Sequence, residues 1–214
     1  LAENAFPTQK AYQNEKRHQF NTRIVRKLEI EFGKQEFGVS GAIAQLHNKI
    51  TDDNGKYYAV GLHTDNNYKR FNLQSSVIHY QYDAKNPDGV NNDMTLMGAN
   101  GLTPAYFIAS EGTIASLNLA YTLPVQDMGK LKAIRFYNDY SYLDKKREDW
   151  SDSQMNTTGM MFIASPFMVW ADYTWGKNSN IIGGTTNATG FTSTVSPNSD
   201  KWLYRINLNI GFSF

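Results

Sequence analysis

The chain has 214 residues, no cysteine, a formal net charge of +1 and an aromatic fraction of 14%. That excludes a disulfide framework, a thiolate metal site and a cysteine nucleophile, and it gives no gross bias towards nucleic acid or an anionic surface. No run approaches the roughly 20 apolar residues of a membrane helix, and Leu1 to Phe20 lack the basic start and apolar core of a signal peptide.

The length suits one sizeable domain, spanning 1–214. Residues 1–19 are polar and without periodicity, which predicts loop. From Phe20 an alternation begins. Phe20, Thr22, Ile24, Arg26, Leu28, Ile30 and Phe32 fall on one face, with Asn21, Arg23, Val25, Lys27, Glu29 and Glu31 on the other. A period of two is that of a strand. A turn is expected at 33–36, then a second strand at about Phe37 to Asn48. A loop with Asp52-Asp53-Asn54-Gly55 leads to a third strand, Lys56 to Thr64. Asp65-Asn66-Asn67 reads as a turn, and Tyr68 to Tyr82 as the fourth strand.

A long connection, 83–112, carries Asn86-Pro87-Asp88-Gly89 and an apolar piece at Tyr106 to Ala109. The fifth strand is Thr113 to Pro124 and the sixth Lys130 to Leu143, with a charged loop at 144–154 after it. The seventh is Met155 to Ser165. Pro166, which cannot donate to a ladder, makes the next turn. The eighth strand is Phe167 to Lys177, and a Gly/Asn/Thr/Ser-rich loop at 178–200 precedes the last.

That last stretch, Lys201 to Phe214, has the clearest pattern. Trp202, Tyr204, Ile206, Leu208, Ile210, Phe212 and Phe214 share one face, and all but Leu203 of the other face are polar, charged or glycine. Aromatics at both ends with aliphatics between suit a strand crossing lipid between two interfacial girdles. Several strands exceed the usual 5–6 residues and approach the roughly 9–11 of a membrane strand. With no helical stretch between them, the expectation is an all-β fold: a transmembrane antiparallel up-and-down β-barrel.

The connections alternate short and long, as periplasmic turns and extracellular loops do in such barrels. Nine strands is an odd count, whereas single-chain bacterial barrels have even ones. The expectation is therefore that these strands belong to a 16- or 18-stranded barrel. A competing reading makes Pro104 to Ser110 a tenth wall strand and the whole a small closed barrel with a structural or adhesive role through its loops.

In either barrel the polar faces would line the interior: Arg23, Lys27, Glu29 and Glu31; Arg70, Asn72 and Gln74; Arg135, Tyr137 and Asp139; Asp172; and Lys201, Arg205, Asn207 and Asn209. Inward charges bias ion selectivity. A modest basic excess suggests a weak preference for anions, and pairing of opposite charges across the wall is the other reading. The 83–112 connection, with Leu102, Tyr106, Phe107 and Ile108, is either a constriction loop folded into the barrel or a surface loop. His18, His47, His63 and His79 show no metal-ligand spacing, and there is no Gly-x-Ser-x-Gly elbow. Neither catalysis, a metal nor a cofactor is expected.

The final strand ending on Phe214, the Pro166 hairpin and Tyr173-Thr174-Trp175-Gly176-Lys177-Asn178 resemble the C-terminal part of Gram-negative porins. They are somewhat similar to the phosphate-selective porin O/P type. The resemblance implies an outer-membrane homotrimer in contact with lipid and lipopolysaccharide, each subunit a water-filled channel for passive diffusion of small hydrophilic solutes or ions. Phosphate porins carry dense lysine and arginine ladders. Here the basic residues are scattered among acids, which departs from that pattern.

Overall fold

The structure, a computed structural model, describes residues 12–97, 106–126, 128–148, 150–179, 182, 185–186, 192–193 and 201–212. The strands in chain order are β1 (Asn14–Ile30), β2 (Gly33–Asn48), β3 (Asn54–Tyr68), β4 (Phe71–Asp83), β5 (Met94–Met97), β6 (Tyr106–Ala109) and β7 (Glu111–Pro124). They continue with β8 (Ala133–Lys145), β9 (Ser153–Ala164), β10 (Phe167–Lys177), β11 (Thr185–Thr186), β12 (Thr192–Ser193) and β13 (Leu203–Phe212). The fold is all-β. Nine long strands form one antiparallel sheet in the order β1-β2-β3-β4-β7-β8-β9-β10-β13.

Directly opposed residues in a ladder share a face, so the register shows how the alternations combine. One line of partners runs Ile24, Val39, Leu62, Val77, Ala115, Tyr142. Another runs Phe136, Met160, Ala171, Leu208. Along both lines apolar meets apolar on the same face, with polar residues such as Arg26, Thr64, Ser75 and Asn138 between them. That face is bare: Ile24 and Ile206 are each 74% exposed, and no described element packs across it.

The buried core lies instead at one end of the opposite face, where the long connections emerge. Leu46, Tyr80 and Tyr82 point there and pack with Met97, Ile108, Ile114 and Leu143. A second cluster, Tyr12, Met94, Phe107, Ala109 and Trp150, lies behind them. Tyr12 meets Phe107 edge-on, with centroids 5.0 Å apart and planes at 69°. Burial, with the Asp93 carboxylate adding to it, pushes the Tyr12 phenol up to about 12. The β5–β6 hairpin is thus a clasp held against the sheet. β6 also pairs in parallel with β12, so a second, four-stranded sheet, β11-β12-β6-β5, stitches the two longest connections together.

The expected alternation of short and long connections breaks at 125–132, which is longer than 146–152 and 49–53, and several boundaries move. β1 starts at Asn14, not Phe20. A bulge between Arg17 and Phe20 breaks the period there, and the residues above it are all polar. The first hairpin turns at Glu31–Phe32 rather than 33–36, and the second at Lys69–Arg70 rather than 65–67. Lys69 takes the left-handed backbone, φ 53°, that so tight a reversal needs. Glu31 and Arg70 therefore sit in turns and not on a strand face. β13 begins at Leu203, so Lys201 also precedes its strand, and Phe214 lies outside the described residues. β8 starts at Ala133 instead of Lys130, and the 144–154 loop gives up its ends to β8 and β9. Tyr106–Ala109 is a strand within the long connection between β4 and β7, and it belongs to the clasp and not to the nine-stranded sheet, so the tenth-wall-strand reading of it is corrected.

Phe107 is 1% exposed at the centre of the clasp. Phe107→Ala is expected to cost the clasp about 3–5 kcal/mol through lost contacts and a cavity. Limited proteolysis should then cut within 84–110 in the variant while sparing the wild type; equal resistance would show that this packing does not hold the hairpin.

Candidate functional site

The face opposite the bare apolar one carries a polar line that crosses every strand of the large sheet. In register it reads Lys27, Glu36, Asp65, Gln74, Asn118, Asp139, Thr157, Thr174, Arg205. A neighbouring line two residues along each strand reads Gly38, His63, Ser76, Ser116, Ser141, Met155, Gly176. The second line is mostly small, so it forms a trough beside the first. A cavity of about 460 Å³ lies along both lines, with Ser76, Ser116 and Ser141 on its floor and Asp65, Gln74, Asn118 and Asp139 along one wall.

Charges on this face are organised in pairs. Glu36 accepts from Arg23 at 2.8 Å and lies 3.3 Å from the Lys27 ammonium. Arg23 Nη2 is also 2.8 Å from His63 Nε2. Glu29 pairs with Lys34 at 3.1 Å. Asp65 accepts amide N–H groups from Asn72 at 2.7 Å, Gln74 at 3.0 Å and Asn67 at 3.3 Å. Asn118 donates to Asp139. Thr157 and Thr174 hydroxyls meet at 3.0 Å.

Some contacts here skip a strand. Arg135 on β8 donates to Asn72 on β4 at 3.0 Å, over Ala120 of β7. Tyr137 on β8 donates to Asp172 on β10, over Gly159 of β9. Arg23 on β1 reaches His63 on β3 beside Gly38 of β2. Among the described residues, the side-chain hydrogen bonds between strands on the apolar face join neighbouring strands. That difference marks the polar face as the inner side of the sheet's curl.

Of the residues singled out from sequence, Arg23, Lys27, Glu29, Arg135, Asp139, Asp172 and Arg205 share this face. Arg205 lies on the edge strand and Asp172 inside the sheet, and of the residues expected to line the interior the cavity gathers Arg23, Gln74 and Asp139. Tyr106 is half-buried and Phe107 is enclosed in the clasp. Glu36, His63, Asp65, Asn118 and the serine line were missed. The signal was available: continuing the alternation back from Gly38 places Glu36 and Lys34 on the Lys27 face, and continuing it forward from His63 places Asp65 and Asn67 there too.

Compared with known proteins, the chain matches no family model, no curated protein and no solved structure.

At Gly159 a Cβ would fall 2.6 Å from the Tyr137 ring carbon Cζ and collide with the Asp172 carboxylate. Gly159→Val should therefore separate Tyr137 from Asp172 and cost about 1–3 kcal/mol by overpacking. Equilibrium unfolding in detergent measures it, and an unchanged midpoint would show that the bridge yields without strain.

Proposed function

We propose that the nine-stranded sheet is the wall of an outer-membrane β-barrel whose polar face lines a water-filled pore for passive diffusion of small hydrophilic solutes or ions. The observation that carries this is the two-faced sheet: an uncovered apolar face on all nine strands, backed by a polar line across the same nine. A sheet in water buries its apolar face on a second layer. A sheet in lipid leaves that face bare and needs every backbone group paired.

Other features support the reading. Tyr173 stacks on Tyr204 at 5.7 Å towards the long-connection end of the last hairpin, and Phe167 meets Phe212 at 5.2 Å at the other. Such aromatic ends are what interfacial girdles require. The short turns would face the periplasm and the long connections the outside. The clasp then sits at the outer mouth, where Met97 and Ile108 pack on the inner wall and narrow it. Phe107 acts within the clasp's own core, holding the constriction in shape instead of lining it. β1 and β13 are the outer strands of the sheet and are not paired with each other among the described residues. In a membrane both edges must pair, which favours a barrel of 16 or 18 strands over a small closed one. A homotrimer in lipid and lipopolysaccharide completes the reading.

Planar-bilayer recording of the refolded protein tests it. Stable conductance steps, in triplets for a trimer, are expected. Correctly folded protein that gives no steps would sink the pore and leave a structural or adhesive wall. The faces are tested separately by charge insertion on β13. Leu208→Arg on the apolar face should destabilise the protein in vesicles by about 2–4 kcal/mol, and Asn207→Arg on the polar face should cost close to nothing. Equal costs would remove the lipid assignment.

A further inference from the structure

We propose that His63 is a proton-operated switch on the polar face: neutral, it holds Arg23 against the wall, and protonated, it releases Arg23 into the lumen and moves ion selectivity towards anions. The proposal rests on the channel reading above.

What each group can donate and accept carries the inference. Arg23 Nη2 lies 2.8 Å from His63 Nε2. A guanidinium has donors only and stays charged, so this hydrogen bond exists only if Nε2 offers its lone pair. His63 is therefore neutral in this arrangement, with its ring proton on Nδ1. A proton arriving on Nε2 would set one N–H against another, and the contact must open. The imidazolium has a replacement at hand, because Glu36 Oε1 lies 3.4 Å from Nε2. That same oxygen accepts from Arg23 at 2.8 Å. Guanidinium and imidazolium thus compete for one carboxylate oxygen, while the other oxygen of Glu36 is 3.3 Å from the Lys27 ammonium.

The sheet makes this encounter possible. Arg23 and His63 stand on β1 and β3, with β2 between them. The imidazole lies over Gly38 of β2, where a Cβ would collide with the ring. The charged groups that face His63 are Arg23 and Lys27 from β1, Glu36 from β2 and Asp65 on its own strand. From β4 it meets Ser76 and Gln74, which are neutral. Asp65 is engaged by the amides of Asn67, Asn72 and Gln74. Protonation adds one positive charge to the cluster and frees a guanidinium side chain that is already 58% exposed. Inward charge biases ion selectivity, so the shift is towards anions. The other histidines lie elsewhere: His18 at the bulge of β1, His47 at the end of β2 beside Asp52, and His79 on the apolar face beside Thr113.

Two measurements test the switch. Long-range ¹H–¹⁵N NMR of the refolded full chain in micelles reads the ring without reference to conduction. At about pH 8 the unprotonated nitrogen of His63 should be Nε2, and at about pH 5.5 both nitrogens should carry protons. In Arg23→Gln, with no guanidinium to displace, the ring should take its proton at a higher pH than in the wild type. A neutral ring protonated on Nε2, or a midpoint that Arg23→Gln leaves in place, would overturn the switch. In a planar bilayer under a KCl gradient at low ionic strength, the K⁺/Cl⁻ ratio should fall by about twofold or more over the same pH window. His63→Gln, whose amide oxygen still accepts from Arg23, should remove that part of the response. Equal pH responses in the wild type and His63→Gln would overturn the proposal, and if His63→Gln does not refold, the Arg23→Gln midpoint decides. The expected ring titration in folded protein that passes no current would overturn the channel reading, and the selectivity effect with it, while leaving the proton-coupled contact in place.

Discussion

The structure depends on one constraint: the side-chain period of two must keep the same hand across every hairpin. In the nine-stranded sheet a slip of one residue at any turn would carry a whole strand's apolar set to the wrong side. The ladders show no such slip between the first tight turn and the last strand. Where the sequence would break the period, the backbone absorbs the error. Between Arg17 and Phe20 two residues, His18 and Gln19, oppose the single Ala44. His18 takes a left-handed φ of 50° to do so. Without the bulge Lys16 would point to the apolar face. With it the ammonium lies 3.4 Å from the centroid of the Tyr57 ring on the other face.

The same constraint decides where the protein can have a core. A sheet whose outer face is apolar along its whole width has no second layer to bury against. Its interior packing must come from what the connections bring to the other face. Leu46, Tyr80 and Tyr82 give that face an apolar end, and β5 and β6 provide the side chains that cover it. Pairing of β6 with β12 makes the two longest connections depend on one another. The clasp is therefore a folded unit with its own buried phenylalanine, attached to the sheet by apolar and tyrosine contacts and by the Tyr82 N–H bond to the Ser110 carbonyl.

How much could be read in advance follows from how local each signal is. The end of the chain was legible because nothing interrupts its pattern: Pro166 marks the reversal between β9 and β10, and β10 and β13 alternate cleanly. Gly33–Glu36 and Asp65–Asn67 misled because Gly, Asn and Asp carry turn chemistry. Here the Asp65, Asn67 and Asn72 side chains bond to one another across a hairpin ladder. The turn falls instead at Lys69–Arg70, residues with no such signature. The start of β1 was hidden by the bulge. The role of Tyr106–Ala109 was hidden by its partner, which lies more than eighty residues on in sequence. Half of the candidate site was lost with the misplaced turns, since Glu36 and Asp65 were assigned to them.

The remaining lesson concerns charge. Counting the expected interior residues by sign gives a modest basic excess, but the ladders sort the charges by position. Glu36 sits where β2 brings it within reach of both Arg23 and Lys27, so one carboxylate engages two cations. Arg135 is drawn across Ala120 to an amide oxygen and Tyr137 across Gly159 to Asp172, contacts that only small intervening residues allow. The Glu36 contacts pair opposite charges, whereas Arg135 bonds a neutral amide and keeps its own. What is left over, on β3 to β8, is a line of hydroxyls between two carboxylates held by amides. Which side chains meet across an intervening strand thus follows from where the glycines and alanines are.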